Sequence, residues 1–347
     1  MMLREQRVWK MKKKVTMQDI ADRLNISKNS VSQALRGKQG VSEETRRLVQ
    51  RVAEEMGYQY PGERKKKKQG KTGNIGLIAS DLTFSFKNFF GEIYLSIEKE
   101  VIKRGMNLHI QSVNQEQKER LILPSFIENK MVDGILILSH ISTEYVNKVI
   151  ATGIPTILVD HHHPNIQADA VLTNNRFGAY LAVQHLIELN HRDIAFIGNI
   201  DYSPSYEERY EGYLLALKEH GIKPNEDFIF TNAEEKEEVV LQYIRQLKKQ
   251  PTAWFCANDG LGFLVNSCLQ QQGIQVPDQA SVCSYDNGQL SKIAKPKTTT
   301  VDIDLELYGK RAVELLFWRM ENKNEPFQEI LISSKLIKRE STALAPK

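Results

Sequence analysis

The chain has 347 residues, 41% of them apolar and 26% charged, proportions that suit a soluble protein built from one small and one larger folded unit. No apolar run approaches the ~20 residues of a membrane span, and the basic opening MMLREQRVWKMKKK lacks the apolar segment of a secretory signal, so a cytoplasmic location with no membrane partner is expected. The net charge of +4 hides an asymmetry: residues 1–74 carry 19 Lys and Arg against 8 Asp and Glu, and the remainder 28 against 35, so a head suited to a polyanion precedes an acidic body.

Residues 1–14 read as an N-terminal extension. Thr16, followed three residues later by Asp19, then marks a capped helix start. Met17, Ile20, Ala21 and Leu24 fall on one face of that helix. Asn25-Ile26 breaks it. Ser27 caps a second helix, KNSVSQALR, with Val31, Ala34 and Leu35 on its apolar side and Gly37-Lys38-Gln39-Gly40 at its end. Ser42 caps a third, EETRRLVQRVAEEMG, with an expected buried stripe of Leu48, Val49, Val52, Ala53 and Met56. Two short helices joined by a tight turn and buttressed by a third make a helix-turn-helix unit. The free side of the second helix shows Lys28, Asn29, Ser30, Ser32, Gln33 and Arg36. These groups hydrogen-bond bases and phosphates, and no carboxylate lies among them. A three-helix bundle without a ligand is the alternative.

The order of residues in this head resembles the headpiece of the lactose-repressor (LacI/GalR) family of bacterial transcription regulators. The matching segments are VTMQDIA (15–21), ISKNSVS (26–32), VSEETR (41–46) and GY (57–58). The resemblance implies base reading in the major groove by Lys28, Asn29 and Gln33. Thr16, Ser27, Ser30, Ser32 and Arg36 complete the expected contacts, the hydroxyls as caps and phosphate ligands. The family most often has Arg where this chain has Gln33. Arg suits the O6/N7 edge of guanine and Gln the N6/N7 edge of adenine, so an A·T pair is expected at that operator position.

From Asn74 onward strands and helices alternate. NIGLIAS, MNLHIQSV, VDGILILS, PTILVD and AVLT read as strands, with helices near 88–104, 117–130 and 143–152; DIAFIGN, FIFTN, TAWFCAND and ASVCSYD begin a second series. Such alternation implies α/β lobes with parallel sheets covered on both faces. The resemblance continues through RFGAYLAVQHLIELNHRDIAFIGN, SYEERYEGYLLALKEHGI, PTAWFCANDGLGFLV, ASVCSYDN and LIKREST. It implies a two-lobed core like the periplasmic binding proteins, spanning 74–347, after a headpiece at 15–60 and a linker at 61–73. The first lobe would take 74–172 and 301–331, the second 173–300 and 332–343. No heptad segment follows LIKREST, and a homodimer on a near-palindromic operator is the family expectation.

Ligands of open α/β folds sit at the carboxyl ends of strands. The resemblance places effector contacts on Asp160, Ser205, Arg209, Asn258 and Asp286, with an ordinary salt bridge between lobes as the alternative role for Arg209 and Asp286. Carboxylate, amide and guanidinium groups together suit a sugar or sugar derivative. In LTFSFKNFF, Phe84 and Phe86 are placed to stack on a sugar face, whereas Phe89 and Phe90 are expected to start a helix and pack in the core. The effector is the one small molecule expected; no cofactor is. His161-His162-His163 lacks the spacing and the companion ligands of a metal site, and Cys256, Cys268 and Cys283 are scattered, as suits buried thiols. No Walker A loop, GxGxxG or GxSxG segment supports an enzyme. The competing reading is a sugar-binding protein without specific DNA recognition, which the head makes unnecessary.

The linker PGERKKKKQGKTG holds six cations, one anion and no apolar side chain. A plain solvated tether is its simplest reading. In the resembled family this segment folds on DNA into a hinge helix whose leucine wedges into the minor groove. Here that position falls on Lys67, and lysine cannot act as an apolar wedge. Lys65, Lys66, Lys67 and Lys68 are instead expected to neutralise phosphates or lie in a narrow minor groove.

Two outcomes are expected. Gln33→Arg should change the preferred base at its position from adenine to guanine in a selection of bound duplexes; an unchanged base contradicts this assignment. Replacing Lys65, Lys66, Lys67 and Lys68 with Gln should flatten the salt dependence of DNA binding by several logarithmic units while base preference persists. An unchanged slope would return the segment to a tether.

Overall fold

The structure is a computed structural model, and it describes residues 15–36, 40–56, 58, 71–81, 87–139 and 141–347. The chain divides into two compact units, Met1–Gly70 and Lys71–Lys347.

In the first unit α1 is Met17–Leu24, α2 is Lys28–Leu35 and α3 is Glu43–Glu55. Thr16 and Asp19 form a reciprocal capping box: the Asp19 amide donates to the Thr16 hydroxyl at 3.3 Å, and the Thr16 amide donates to the Asp19 carboxylate at 2.6 Å. Asn25, at φ 50°, ends α1 in the left-handed region. Ser27 and Ser42 accept from the amides of Ser30 and Thr45 at 3.0 and 3.1 Å. Ile20, Ala21, Val31, Ala34, Val49, Val52 and Ala53 form the core, with Met17, Leu24, Leu35, Met56 and Tyr58 packed around it. Leu48 departs from the expected stripe and is 46% exposed. Val49, Val52, Ala53 and Met56 already fill the inward arc, and Leu48 falls one position outside it.

The second unit holds two six-stranded sheets. The first contains β1 (Asn74–Ser80), β2 (Asn107–Val113), β3 (Gly134–Leu138), β4 (Thr156–Val159), β5 (Asp169–Thr173) and β11 (Glu329–Ile332), in the order β11-β5-β4-β3-β1-β2. The second contains β6 (Ile194–Ile197), β7 (Ile229–Phe230), β8 (Ala253–Cys256), β9 (Ser281–Tyr285), β10 (Thr299–Asp302) and β12 (Lys335–Ile337), in the order β12-β10-β9-β8-β6-β7. All neighbours pair in parallel except β10 and β12. The chain passes between the sheets after β5, after β10 and after β11. The second passage follows Asp302 and does not precede residue 301, because β10 (Thr299–Asp302) belongs to the second sheet.

Among the described residues, this unit contains helices α4 (Lys87–Lys103), α5 (Gln115–Glu119), α6 (Ser125–Glu128), α7 (Thr143–Ile150), α8 (Asn175–Glu188), α9 (Pro204–Glu219), α10 (Glu237–Gln246), α11 (Asp259–Gln271), α12 (Gln289–Ile293) and α13 (Leu305–Glu321). The single helix expected over 117–130 is two. Leu121 turns left-handed at φ 53°, and Pro124 both lacks an amide proton and bars Leu123 from helix. FIFTN likewise yields only a two-residue strand after a short 3-10 turn.

Helix α13 lies along α4 and across β3, β4 and β5. Gly309 permits that approach: a Cβ there would meet the Ile93 carbonyl at 2.7 Å. The Ser96 hydroxyl donates to the Glu306 carbonyl at 2.6 Å in the same contact. A buried ion pair fixes the return from α13 to β11. Arg319 donates to Asp169 at 2.8 Å and to the carbonyls of Glu325 and Pro326 at 2.7 and 2.8 Å. Every group of this pair is satisfied, so removing one partner would strand a buried charge at a cost of about 3–5 kcal/mol.

Lys71–Lys347 begins where the linker ends, and that junction is pinned. The amides of Thr72 and Gly73 donate to the two carboxylate oxygens of Asp133 at 2.6 and 2.8 Å. Thr72 and Gly73 therefore meet the first sheet at the amino end of β1, opposite the strand ends that carry the cavity described next.

Candidate functional site

A cavity of ≈ 150 Å³ lies between the two sheets, at their carboxyl ends. Ser80 ends β1, Ser139 follows β3 and Asp160 follows β4; from the other lobe come Ser203, Ser205, Tyr206 and Arg209 at the start of α9, Asn258 after β8 and Asp286 after β9. Phe89, Asn258 and Asp286 also line a wider space of ≈ 490 Å³ that continues toward Glu235, Asn287 and Asp302. Ser139, Asp160 and Asp286 all have positive φ, 67°, 59° and 105°. Such backbone costs energy in non-glycine residues and clusters where side chains are aimed at ligands.

Arg209 organises the second lobe's wall. Its Nε donates to Asn175 Oδ1 at 3.0 Å and its Nη1 to the Ala257 carbonyl at 2.6 Å, while Nη2 lies 3.2 Å from Asp286 Oδ1. The guanidinium lies over the Tyr285 ring at 3.8 Å. Arg209 and Asp286 thus do form an ion pair, but within one lobe, not between lobes. Burial pushes the Asp286 carboxyl up, and the Arg209 charge opposes it. Across the cleft, burial pushes Asp160 up to about 7, Arg209 again opposing and Asp286 adding to the rise. The Ser205 hydroxyl donates to Asp160 Oδ1 at 3.5 Å, and the Tyr308 hydroxyl donates to the same oxygen at 3.3 Å. Asn258 caps α11 by accepting from the Leu261 amide at 2.8 Å, and its Nδ2 donates to the Tyr206 hydroxyl at 2.6 Å and to Glu235.

Asp160, Ser205, Arg209, Asn258 and Asp286 therefore line one cavity. Phe84 and Phe86 lie outside the described residues. Phe89 and Phe90 start a helix and pack against the apolar core as expected, edge to face with each other at 5.0 Å, and both also line the cavity. The first turn of α4 opens directly onto the strand ends, so its outer face is cavity wall. Sequence reasoning passed over Lys118 and Tyr206, and reached Tyr202 only as part of the strand end at 199–203. The two tyrosines follow β6, where the strand-end rule already pointed. Lys118 on α5 reaches the cavity only because of how the first lobe folds, and no local pattern marks it.

The surface offered by α2 comprises exposed Lys28, Asn29 and Arg36 and half-buried Ser30, Ser32 and Gln33. Asn29, Ser32, Gln33 and Arg36 recur at three- and four-residue spacing, on one face. Ser27 is engaged as the α2 cap, its hydroxyl 2.8 Å from that of Ser30, and Thr16 as the α1 cap. Lys65, Lys66, Lys67 and Lys68 lie outside the described residues.

The consecutive histidines take separate partners. His161 is buried, and His163 Nδ1 accepts from the Asn165 amide at 3.1 Å. His162 bridges the lobes: Nε2 is 2.9 Å from Glu208 on α9, and Nδ1 is 3.1 Å from Glu329 at the start of β11. Hydrogen bonding to Glu208 and then to Glu329, against the opposing effect of burial, pushes His162 up to about 9.

Comparison with known proteins gives a consistent result. Residues 16–60 match bacterial regulatory proteins of the lacI family, and residues 183–342 match a periplasmic binding protein-like domain. The chain is 31% identical over 329 residues to the ribose operon repressor of Haemophilus influenzae, covering 94% of this chain and 98% of that protein. A solved complex of the transcriptional regulator CelR with cellobiose is 25% identical with a TM-score of 0.70, over 94% of this chain and 100% of that one. A LacI family transcriptional regulator from Enterococcus faecium with bound ribose is 26% identical with a TM-score of 0.66, over 78% of this chain and 99% of that one.

The His162 bridge has a defined pH signature. Its folded-state pKa is raised, so its stabilisation is complete below the ordinary histidine value of about 6.5 and is lost as pH rises through about 9. His162→Gln should cost on the order of 1 kcal/mol at pH 6, solvent screening included, and nearly nothing at pH 10, in paired urea melts. An equal cost at both pH values would assign the effect to packing alone.

Proposed function

This chain belongs to the LacI family of bacterial regulatory proteins, and from that premise we propose that it is a cytoplasmic repressor released from a near-palindromic operator by a sugar or sugar derivative held between its lobes. DNA-binding transcriptional regulation under small-molecule control is the activity of the family. The observation that carries the sugar assignment is the meeting of Asp160, Ser205, Arg209, Asn258 and Asp286 with the rings of Phe89 and Phe90 in one cavity. Carboxylates accept from sugar hydroxyls, and the amide and the serine can both give and accept. The aromatic rings cover the apolar C–H face. Arg209 spends its donors on Asp286, Asn175 and Ala257, so its part is to hold the wall in position. The Ser205 hydroxyl lies 3.5 Å from Asp160, beyond the usual nucleophile–base reach of about 3.2 Å, and a binding role rather than catalysis fits these groups.

Coupling follows from what a bridging ligand does. Asp160 lies in the first lobe, and Arg209, Asn258 and Asp286 in the second, so a sugar touching both sets favours one relative placement of the lobes. The first lobe carries the linker junction at Asp133, so the stem leading to the headpiece moves with it. By reciprocity, operator DNA weakens sugar binding by the same factor that sugar weakens DNA binding. We assign DNA contact to Thr16, Ser27, Lys28, Asn29, Ser30, Ser32, Gln33 and Arg36, with the lysine run of the linker adding electrostatic affinity. The apolar side chains of Leu95 and Ile102 on α4 and Ile110 on the edge strand β2 are 59%, 62% and 41% exposed, and covering them supports a homodimer.

The test is a panel of pentoses, hexoses and disaccharides in a thermal-shift assay with the full chain. A true effector at a hundredfold over its Kd should add about 2.7 kcal/mol of stability. Asp160→Asn should weaken that sugar at least about tenfold, the size of one lost charge-assisted hydrogen bond. A panel without any stabilising sugar, or full affinity in the variant, contradicts the assignment.

A further inference from the structure

Gly40 opens the chain into α3 and has no assigned role. It has φ 120°, a region that side-chain-bearing residues rarely occupy. The amide of Gln33 lies against it. A Cβ built on Gly40 would stand 2.9 Å from Gln33 Oε1 and 3.3 Å from both Cδ and Nε2. The amide of Gln33 therefore occupies the volume that any side chain at position 40 would need. Gln33 itself is half-buried on the face of α2 that also carries Asn29, Ser32 and Arg36.

We propose that Gly40 is a positioning residue for DNA recognition, whose bare backbone seats the Gln33 amide at the angle from which it reads a base. This rests on the assignment of Gln33 as a base reader. Gln has three rotatable side-chain bonds, and its end group is free to hydrogen-bond in several directions. Bidentate recognition of adenine needs one of them. Contact with Gly40 removes part of that freedom before DNA arrives, which is how preorganisation raises specificity. The clashing atoms are the far end of a flexible side chain and not backbone. A methyl at position 40 would thus push the amide aside more readily than it would open the helix packing.

The experiment measures binding of the full chain to duplexes that differ only at the base pair assigned to Gln33, for the parent, Gly40→Ala, Gln33→Ala, Gln33→Asn and the double variant Gln33→Asn/Gly40→Ala. Gly40→Ala should reduce the preference for the best base about tenfold, leaving the salt slope of binding to a random duplex unchanged. In the Gln33→Asn background, where the shortened amide no longer reaches position 40, the same substitution should leave preference unaltered. If Gln33→Ala abolishes the preference and Gly40→Ala does not, the positioning role is wrong and the base reader stands. If Gln33→Ala itself changes nothing, both fall. If Gly40→Ala acts by straining the backbone, it will reduce binding equally in the Gln33→Asn background, and the proposal is overturned.

Discussion

The core depends on one buried cation. Arg209 is 3% exposed, and a guanidinium taken out of water is tolerated only when its charge and donors are met. It meets them with groups from four places: Asn175 at the start of α8, the Ala257 carbonyl after β8, Asp286 after β9 and the face of Tyr285. Each of these must be in position for the ion to be stable there. The ends of two strands and two helices are therefore locked together by the same group that forms the cavity wall. Gly212, one turn along α9, completes the arrangement. A Cβ there would lie 2.2 Å from the Arg176 carbonyl, so α8 and α9 approach as closely as only glycine permits.

The cleft is consequently asymmetric. The second lobe presents a wall that is built before ligand arrives. The first lobe faces it with Asp160, held by one long hydrogen bond from Ser205 and one from Tyr308, and with the half-buried rings of Phe89 and Phe90. Outside the cavity the lobes meet again at His162, whose charge sits between Glu208 and Glu329. These polar contacts cross between the lobes, and each sheet is packed on large buried side chains such as Trp254, Phe196 and Tyr308. A ligand that touches both walls biases the relative placement of the lobes by its difference in affinity for the two arrangements.

Much of this was legible in the residues. The caps Thr16, Ser27 and Ser42, the alternation of strand and helix, and the strand-end rule for ligands are local signals. They lead to the helix-turn-helix head, the two lobes and the strand ends of the cavity wall, while Ser205 and Arg209 come from the family resemblance. What escaped depends on tertiary placement. Leu48 looked like part of a stripe whose inward arc was already full. The break at Leu121 and Pro124 divided a helix that periodicity alone would continue. Lys118 reaches the cleft through the fold of the first lobe, and Phe89 and Phe90 serve core and cavity together, a double use that helical spacing cannot distinguish from burial. The positive φ of Asp160 and Asp286 is not fixed by their identities, because Asp is enriched in the left-handed region yet occupies it at only a minority of positions.

The most direct measurement is a selection of duplexes bound by the full chain from a random pool, at two salt concentrations, each with and without a stabilising sugar. A sequence-specific regulator under sugar control will return a two-fold symmetric site that survives the higher salt and is depleted when the sugar is present. Recovery of no consensus under any of the four conditions, with equal affinity for scrambled duplex, would contradict it and leave a basic protein that binds DNA through charge alone.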